Sequence, residues 1–260
     1  MGHEVALSRR FAVDFFNRHD TSVCAEIMVD DYRLLIGRHQ IRGRNEQYVP
    51  AMQKQFHQFG DLGITVHSLI AAPRRVALHF SEHGTSGGPE GKGAAWSGIA
   101  VYATDGDRFV RCSAQEDYYA RRRQLKTGRA DALPTAAVEP WDTPVVAADM
   151  AAEATVREWL ATADATGGTT VRFDDEYLDI AEPLRFEADG VEVLELFSSG
   201  SAIAYHAVHS GHYRGGLDGV ASSSTRVELL SAGIVRVENG SIVSGHAIRD
   251  RLALQRWLRS

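Results

Sequence analysis

The chain has 260 residues, of which 44% are hydrophobic and 24% charged, and its net charge is −6. This composition is typical of a globular protein with a substantial core, and the acidic balance with only short basic runs argues against nucleic acid or an anionic membrane as partner. The two cysteines allow no disulfide framework or cysteine-based metal knuckle, and without a signal-peptide core or an apolar run of membrane-spanning length we expect a cytoplasmic location.

Each half of the chain opens with a predicted amphipathic helix. Apolar residues recur at helical spacing over residues 4–19 and again over residues 150–163. In the first half a short helix near residues 25–28 and a small strand at 32–36 follow. Residues 44–60 also have helical spacing, and nothing equivalent occurs in the second half, so the second half is expected to have lost one helix.

Long strand-like runs follow the helices in both halves. In the first half they are separated by turn residues at 71–73, by the glycine-rich segment GTSGGPEGKG and by Asp105-Gly106. The second half uses Asn239-Gly240 as its hairpin turn. Helices followed by long hairpins indicate an α+β fold, with a curved antiparallel sheet wrapped around helices.

An internal repeat relates the two halves. FFNRHD aligns with WLATAD, VDDY with FDDE, and VALHFSEHGT with IAYHAVHSGH, which places His79 on His206. A last block places Asp117 on Asp250. We therefore predict two tandem cone-shaped domains, residues 1–130 and a shortened 150–260, joined by a linker rich in proline and alanine at 131–149.

The first half resembles a known family. The order of a helix, DDY, the pair Arg42-Gly43, a second helix, RVALHFSEHGT, a long hairpin and an aspartate before QL is similar to the SnoaL-like polyketide cyclases. These belong to the superfamily of ketosteroid isomerase and nuclear transport factor two. The resemblance implies that an aspartate near the end of the last strand points into the cone as general acid/base. Asp117 in EDYY and Asp250 in IRDRL would occupy that place.

Strand alternation suggests neighbours for this aspartate. Arg111, Ser113, Gln115 and Asp117 share one face of their strand, while Cys112, Ala114, Glu116 and Tyr118 share the other. In a desolvated cone the pKa of an inward carboxyl would rise toward the range useful for proton transfer. The candidates are Asp117, His79, Asp250 and His206 for catalysis, and Tyr32, His83, Trp96, Tyr102 and Gln115 for substrate binding.

Structural roles remain open for the same residues. Asp117 could form a surface ion pair with Arg121 or Arg122, and His79 and His206 could be half-buried sheet histidines. His79 and His83 are about 13 Å apart along a strand, too far to share a zinc ion, so no metal site is expected. The strand YRLLIG lacks the acid that ketosteroid isomerases carry there, and Asp179 is a candidate base in the second half.

The leading hypothesis that the resemblance implies is a cofactor-free enzyme acting on a polyketide-like apolar small molecule. The reaction would be a cyclisation, isomerisation or dehydration in natural-product biosynthesis, and the competent site would lie in the first half, with the second half as scaffold. Tandem domains would form an intrachain pseudo-dimer, and a homodimer of the whole chain stays open. The alternatives are a non-catalytic small-molecule binder and a protein-interaction module of the same fold.

Overall fold

The computed structural model describes residues 2–87, 90–173 and 182–260. It has an α+β fold with two curved sheets, one of six strands and one of five, which confirms the predicted fold class. Asp179 and most of the FDDE segment lie outside the described residues.

The described residues contain seven α-helices, three before the first sheet's long hairpins, one after them and three in the second half. They are α1 His3–Arg9, α2 Cys24–Ile27, α3 Val49–Gln58, α4 Tyr118–Thr127, α5 Met150–Leu160, α6 Asp164–Gly167 and α7 Arg251–Leu258. Helix α1 continues as π-helical turns over Arg10–Phe16, and π-helical turns at Arg44–Tyr48 lead into α3. No helix lies in the described residues between α6 and α7, and the predicted loss of a helix stays a prediction.

Each half supplies one sheet. The first contains β1 Met28–Ile36, β2 His39–Arg42, β3 Gly63–Ala72, β4 Arg75–Ser86, β5 Lys92–Thr104 and β6 Phe109–Glu116, in the order β2-β1-β6-β5-β4-β3. The second contains β7 Arg172–Phe173, β8 Arg185–Ser199, β9 Ala202–Gly215, β10 Arg226–Glu238 and β11 Ser241–Arg249, in the order β7-β11-β10-β9-β8.

Neither sheet is purely antiparallel, which corrects the prediction. Strand β1 pairs with β6 in parallel, and β7 pairs in parallel with β11. Parallel neighbours need a long crossover connection. The chain makes that connection between β1 and β6 through α3 and the three strands β3 to β5, whereas turn residues read locally predict only hairpins.

The inner face of the first sheet wraps around the helices that open the chain. Phe15, at the centre of this core, has its ring centroid 5.4–6.1 Å from those of Phe11, Phe16, Tyr48 and Phe56. These rings come from the first helical segment and from the segment leading through α3. Offset and edge-to-face aromatic packing of this kind fills the cone from its base.

The outer faces of the two sheets pack against each other. One apolar cluster contains residues of both sheets, namely Ile70, Ala72, Ala77, Ile99 and Val101 from the first and Phe197, Ala204, Ala232, Ile234 and Ile248 from the second. At its edge the buried Glu195 forms ion pairs with Arg75 and Arg111. The connecting segment runs along β3, where the amide of Val146 donates to the Ala71 carbonyl at 2.9 Å.

The strand registers of the two sheets correspond. Gly98 of β5 lies between Phe80 and Glu116, and Ser231 of β10 lies between Ala207 and Arg249. The alignment that places His79 on His206 and Asp117 on Asp250 also places Phe80 on Ala207 and Glu116 on Arg249. This match supports the tandem repeat, which together with the domain boundaries stays a prediction.

Candidate active site

A cavity of about 530 Å³ lies inside the first sheet. Most of its wall is aromatic or aliphatic. Its polar lining consists of Tyr32, Tyr48, Tyr102, Tyr118, Gln55, Glu82, Glu116, Cys112, Arg38, His39, Asp250 and Arg256. A cavity whose surface is mainly apolar, with polar side chains at a minority of positions, is the usual form of a small-molecule site.

Strand alternation determines which side chains reach the cavity. Phe80 and Glu82 point inward from β4, and Cys112, Ala114 and Glu116 point inward from β6. Gly98 on the strand between them leaves room for this arrangement, because a Cβ atom there would lie 2.3 Å from the Phe80 ring. The inward carboxyl groups of this half are therefore Glu82 and Glu116.

Glu82 is buried beside α3. Gln55 donates its Nε2–H to Oε2 of Glu82 at 2.7 Å. Burial, followed by repulsion from Glu116, raises the pKa of Glu82 well above its ordinary value, and the positive charge of Arg121 opposes this only in part. Glu82 is therefore protonated over a much wider pH range than an exposed glutamate.

Glu116 is the last residue of β6 and is equally buried. The indole Nε1–H of Trp96 donates to its Oε2 at 2.9 Å, and the Tyr118 side chain also hydrogen-bonds to it. Burial raises the pKa of Glu116, while these hydrogen bonds and the charge of Arg121 lower it. Arg121 lies 4.6 Å above the Trp96 ring. It therefore provides a cation close to the carboxyl pair.

Tyrosine hydroxyl groups surround Cys112 on the neighbouring wall. The side chains of Tyr32 and Tyr102 both hydrogen-bond to it. Burial raises the pKa of Cys112 to about 12, so the thiol stays protonated at neutral pH and is not a nucleophile. Burial also raises the pKa of each tyrosine, which keeps the hydroxyl groups available as hydrogen-bond donors.

The second half closes one side of this cavity. Asp250, which precedes α7, and Leu252, Ala253 and Arg256 of that helix line it. Asp250 caps that helix by accepting from the amide of Ala253 at 2.9 Å, and burial raises the pKa of its carboxyl. The second half therefore contributes part of the wall of the first half's cavity.

Asp117 does not line the cavity, which corrects its predicted position. Strand β6 ends at Glu116, and Asp117 turns away to cap α4, where its Oδ1 accepts from the amide of Ala120 at 3.0 Å. The buried guanidinium of Arg251 approaches its two oxygens at 3.3 and 3.2 Å. Its ion pair is thus with the second half and not with the predicted Arg121 or Arg122.

The histidine candidates also face away from the cavity. His79 points toward the second sheet, where its ring is stacked on that of His246 with centroids 4.6 Å apart. His206 is fully buried opposite Ala232 of the sheet-to-sheet cluster, and burial lowers its pKa to about 4. The predicted face of β4 was therefore the wrong one for proton transfer into the cone.

Of the candidates for substrate binding, some lie at the cavity and others lie away from it. Tyr32 and Tyr102 line the cavity, and Trp96 contacts it through Glu116. Gln115 lies on the opposite face of β6, and its side chain hydrogen-bonds to Asp250. His83 lies in a separate shallow pocket, with its Nε2 3.1 Å from Oγ1 of Thr65.

Sequence reasoning missed the two glutamates, although a signal for them was present. Leu78 and Phe80 on β4, and Cys112 and Ala114 on β6, are apolar residues that a buried face requires. Continuing each alternation by two residues leads to Glu82 and Glu116. An acid that continues an apolar alternation therefore indicates a carboxyl group aimed at the core.

The second half carries different residues at the equivalent positions. His209 pairs with Leu229 as Glu82 pairs with Trp96, and Arg249 stands at the position of Glu116. Burial lowers the pKa of His209 to about 4, and its Nε2 lies 3.0 Å from the Ser231 hydroxyl. These positions of the second half therefore hold no pair of carboxyl groups.

No metal site emerges from the described part of the chain. Within it, no three His, Cys, Asp or Glu side chains are grouped so as to hold a metal ion. The same ranges contain no helix that is both long and apolar enough to cross a membrane.

Glu82→Gln is expected to change how stability depends on pH. Because burial raises the folded-state pKa of Glu82, both states are protonated below the unfolded pKa of about 4.3, and the unfolded state releases its proton first as pH rises. Wild-type stability should therefore fall relative to the variant between pH 4 and pH 8. Urea unfolding of both proteins across this pH range checks the prediction. A difference between their unfolding free energies that does not vary with pH would contradict it.

Comparisons with known proteins find one matching family model and several similar structures. Residues 9–112 match the family model of the SnoaL-like domain. No curated protein matches the chain. A proposed SnoaL-like polyketide cyclase from Jannaschia sp. CCS1 is similar to it at 16% identity, with 51% of this chain and 94% of that chain covered and a TM-score of 0.44.

Two further solved structures are similar over comparable lengths. A proposed polyketide cyclase from Acidithiobacillus ferrooxidans has 16% identity, covers 47% of this chain and 94% of its own, and gives a TM-score of 0.43. AclR, a proposed hydroxylase from Streptomyces galilaeus, has 21% identity, covers 50% of this chain and 96% of its own, and gives a TM-score of 0.42. Residues 9–112 of this chain, within its first half, are thus similar to the SnoaL-like domain.

Proposed function

We propose that this protein is a cofactor-independent enzyme that carries out general acid–base catalysis on an apolar, polyketide-like small molecule. The reaction class is cyclisation, isomerisation or dehydration. One observation carries the proposal, namely the pair of buried carboxyl groups of Glu82 and Glu116 in the wall of a largely apolar cavity. The SnoaL-like domain that contains Glu82 supports the same class.

The carboxyl pair is suited to moving a proton to and from carbon. Burial raises the pKa of both groups, and repulsion between them favours states in which at least one carboxyl is protonated. The ionised member of the pair takes the α-proton of a bound ketone, and the electron pair of the C–H bond moves onto the carbonyl oxygen. The protonated member then returns a proton to the enolate at oxygen or at another carbon.

The tyrosines contribute hydrogen bonds to the developing charge. Tyr32, Tyr48 and Tyr102 all line the cavity with side chains whose raised pKa keeps their protons in place. A neutral hydroxyl group that donates a hydrogen bond to an enolate oxygen stabilises the developing charge, and does so more strongly in an apolar cavity than in water. The same enolate can attack a second carbonyl in ring closure, or expel a β-hydroxyl group that takes a proton from the protonated carboxyl and leaves as water, which accounts for the three reactions.

Deuterium exchange tests the proposal without knowledge of the natural substrate. 2-Tetralone is an apolar bicyclic ketone with exchangeable α-protons, and their loss in D₂O is followed by proton NMR. The wild-type protein is expected to accelerate the exchange over buffer, and Glu158→Gln, which changes an exposed glutamate on α5, is expected to match it.

The same experiment separates the enzyme from the alternative of a binding protein. Calorimetry with 2-tetralone reports binding independently of exchange. Binding without accelerated exchange would contradict the enzyme and favour the non-catalytic binder, while acceleration by the wild type that saturates with ketone concentration supports the enzyme.

A further inference from the structure

A basic groove lies directly beside the cavity, between α4 of the first half and α7 of the second. It has a volume of about 350 Å³ and is lined by Tyr118, Arg121, Arg122, Leu125, Leu252 and Arg256. We call it the arginine groove. No acidic residue lines it, although the chain as a whole has a net charge of −6.

The arginine groove and the cavity share part of their walls. Tyr118, Leu252 and Arg256 line both. Tyr118 also hydrogen-bonds to Glu116, so the shared wall touches the carboxyl pair. A ligand whose body occupies the cavity can therefore extend into the groove past these side chains.

The three arginines have different surroundings. Arg121 is half-buried over the rings of Phe59 and Trp96 and is held beside the glutamates. Arg122 and Arg256 are exposed, and within the described ranges no carboxylate forms an ion pair with either guanidinium group. Asp250, which lines the cavity with Arg256, feels the positive charge of that guanidinium group. Two guanidinium groups are thus available to a ligand.

We propose that the arginine groove binds a carboxylate group of the substrate whose apolar body occupies the cavity. This inference rests on the proposed function and adds a substrate class to it, an apolar ring system with an acidic side chain. The planar guanidinium group matches a carboxylate with two parallel hydrogen bonds, and Leu125 and Leu252 provide apolar surface for the chain that carries it.

A matched pair of ligands tests the groove directly. 4-(2-Naphthyl)butanoic acid and its primary amide have the same shape and differ only in charge, and their dissociation constants are measured by calorimetry. The wild type is expected to bind the acid about tenfold more tightly than the amide, the increment of a charge-assisted hydrogen bond of about 1.4 kcal/mol. Added salt should weaken binding of the acid only.

Variants identify which arginines cause the preference for the acid over the amide. In the double variant Arg122→Gln/Arg256→Gln the ratio of acid to amide affinity is expected to fall to about one, while Arg157→Gln, which removes an exposed arginine from α5, keeps the wild-type ratio. An unchanged ratio in the double variant would contradict carboxylate binding in the arginine groove. Binding of the amide would then still support binding of the apolar body in the cavity. If the wild type binds neither ligand, binding of an apolar small molecule in the cavity is contradicted as well.

Discussion

Glu116→Gln is expected to lower the rate of α-proton exchange on 2-tetralone by about 10²-fold or more, the usual contribution of a positioned general acid or base. Glutamine keeps the shape of the side chain and can still accept the hydrogen bond from Trp96, but it takes up no proton. The fold should therefore survive while proton transfer is lost.

The measurement compares exchange rates at saturating ketone with circular dichroism spectra and thermal melts of the same samples. Glu158→Gln is the matched control, since it makes the same chemical change on an exposed surface of α5. An exchange rate for Glu116→Gln equal to that of the wild type would remove Glu116 from the mechanism. A rate loss shared by the control would instead indicate a general effect of glutamate removal.

Asp117→Ala is expected to destabilise the protein by about 3–5 kcal/mol, because it leaves the buried guanidinium of Arg251 without this carboxylate. Both side chains are almost fully buried, at 2% and 4% exposure, so solvent screens their interaction little. The loss of the cap on α4 adds about 1 kcal/mol. Exchange by the folded protein should nevertheless stay close to the wild-type rate.

Urea unfolding of the single variant and of Asp117→Leu/Arg251→Met separates the contribution of the ion pair to stability from that of the helix cap. Replacing both charges by apolar groups removes the buried guanidinium together with its carboxylate, so the double variant should recover much of the lost stability. A loss for Asp117→Ala of only about 0–1 kcal/mol, as for a surface pair, would contradict the buried ion pair. If Asp117→Ala lowers the exchange rate as far as Glu116→Gln does, Asp117 takes part in proton transfer.

The helices and hairpins could be predicted because each has its own local pattern. Helical spacing in residues 4–19 and the turns at Asp105-Gly106 and Asn239-Gly240 depend only on neighbouring residues. The parallel pairing of β1 with β6 was not predictable in this way, since it joins segments that are far apart in the chain.

The carboxyl group in the cone was predicted one residue away from its actual position. Alternation along β6 gave the two faces correctly, but the resemblance pointed to Asp117, and the local pattern does not show that the strand ends at Glu116. The two aspartates share a structural task instead, since Asp117 and Asp250 each cap the helix that follows the last strand of their half.

The histidines were misplaced because the packing of the two halves decides which face is free. His79 and His206 lie on sheet faces that an isolated domain would expose, and each is covered by the other half. The contribution of Leu252 and Arg256 to the first cavity has the same origin. Contacts between distant segments of this kind leave no periodic signal in the sequence.

The most direct test of the carboxyl pair is an NMR titration of the side-chain carboxyl carbons of Glu82 and Glu116, assigned with the two Glu→Gln variants. We expect both carboxyl groups to titrate above the ordinary glutamate pKa of about 4.3, and the replacement of Glu116 to lower the pKa of Glu82 by removing the repulsion between them. Ordinary or lowered pKa values for both groups would contradict a desolvated pair and the acid–base chemistry built on it.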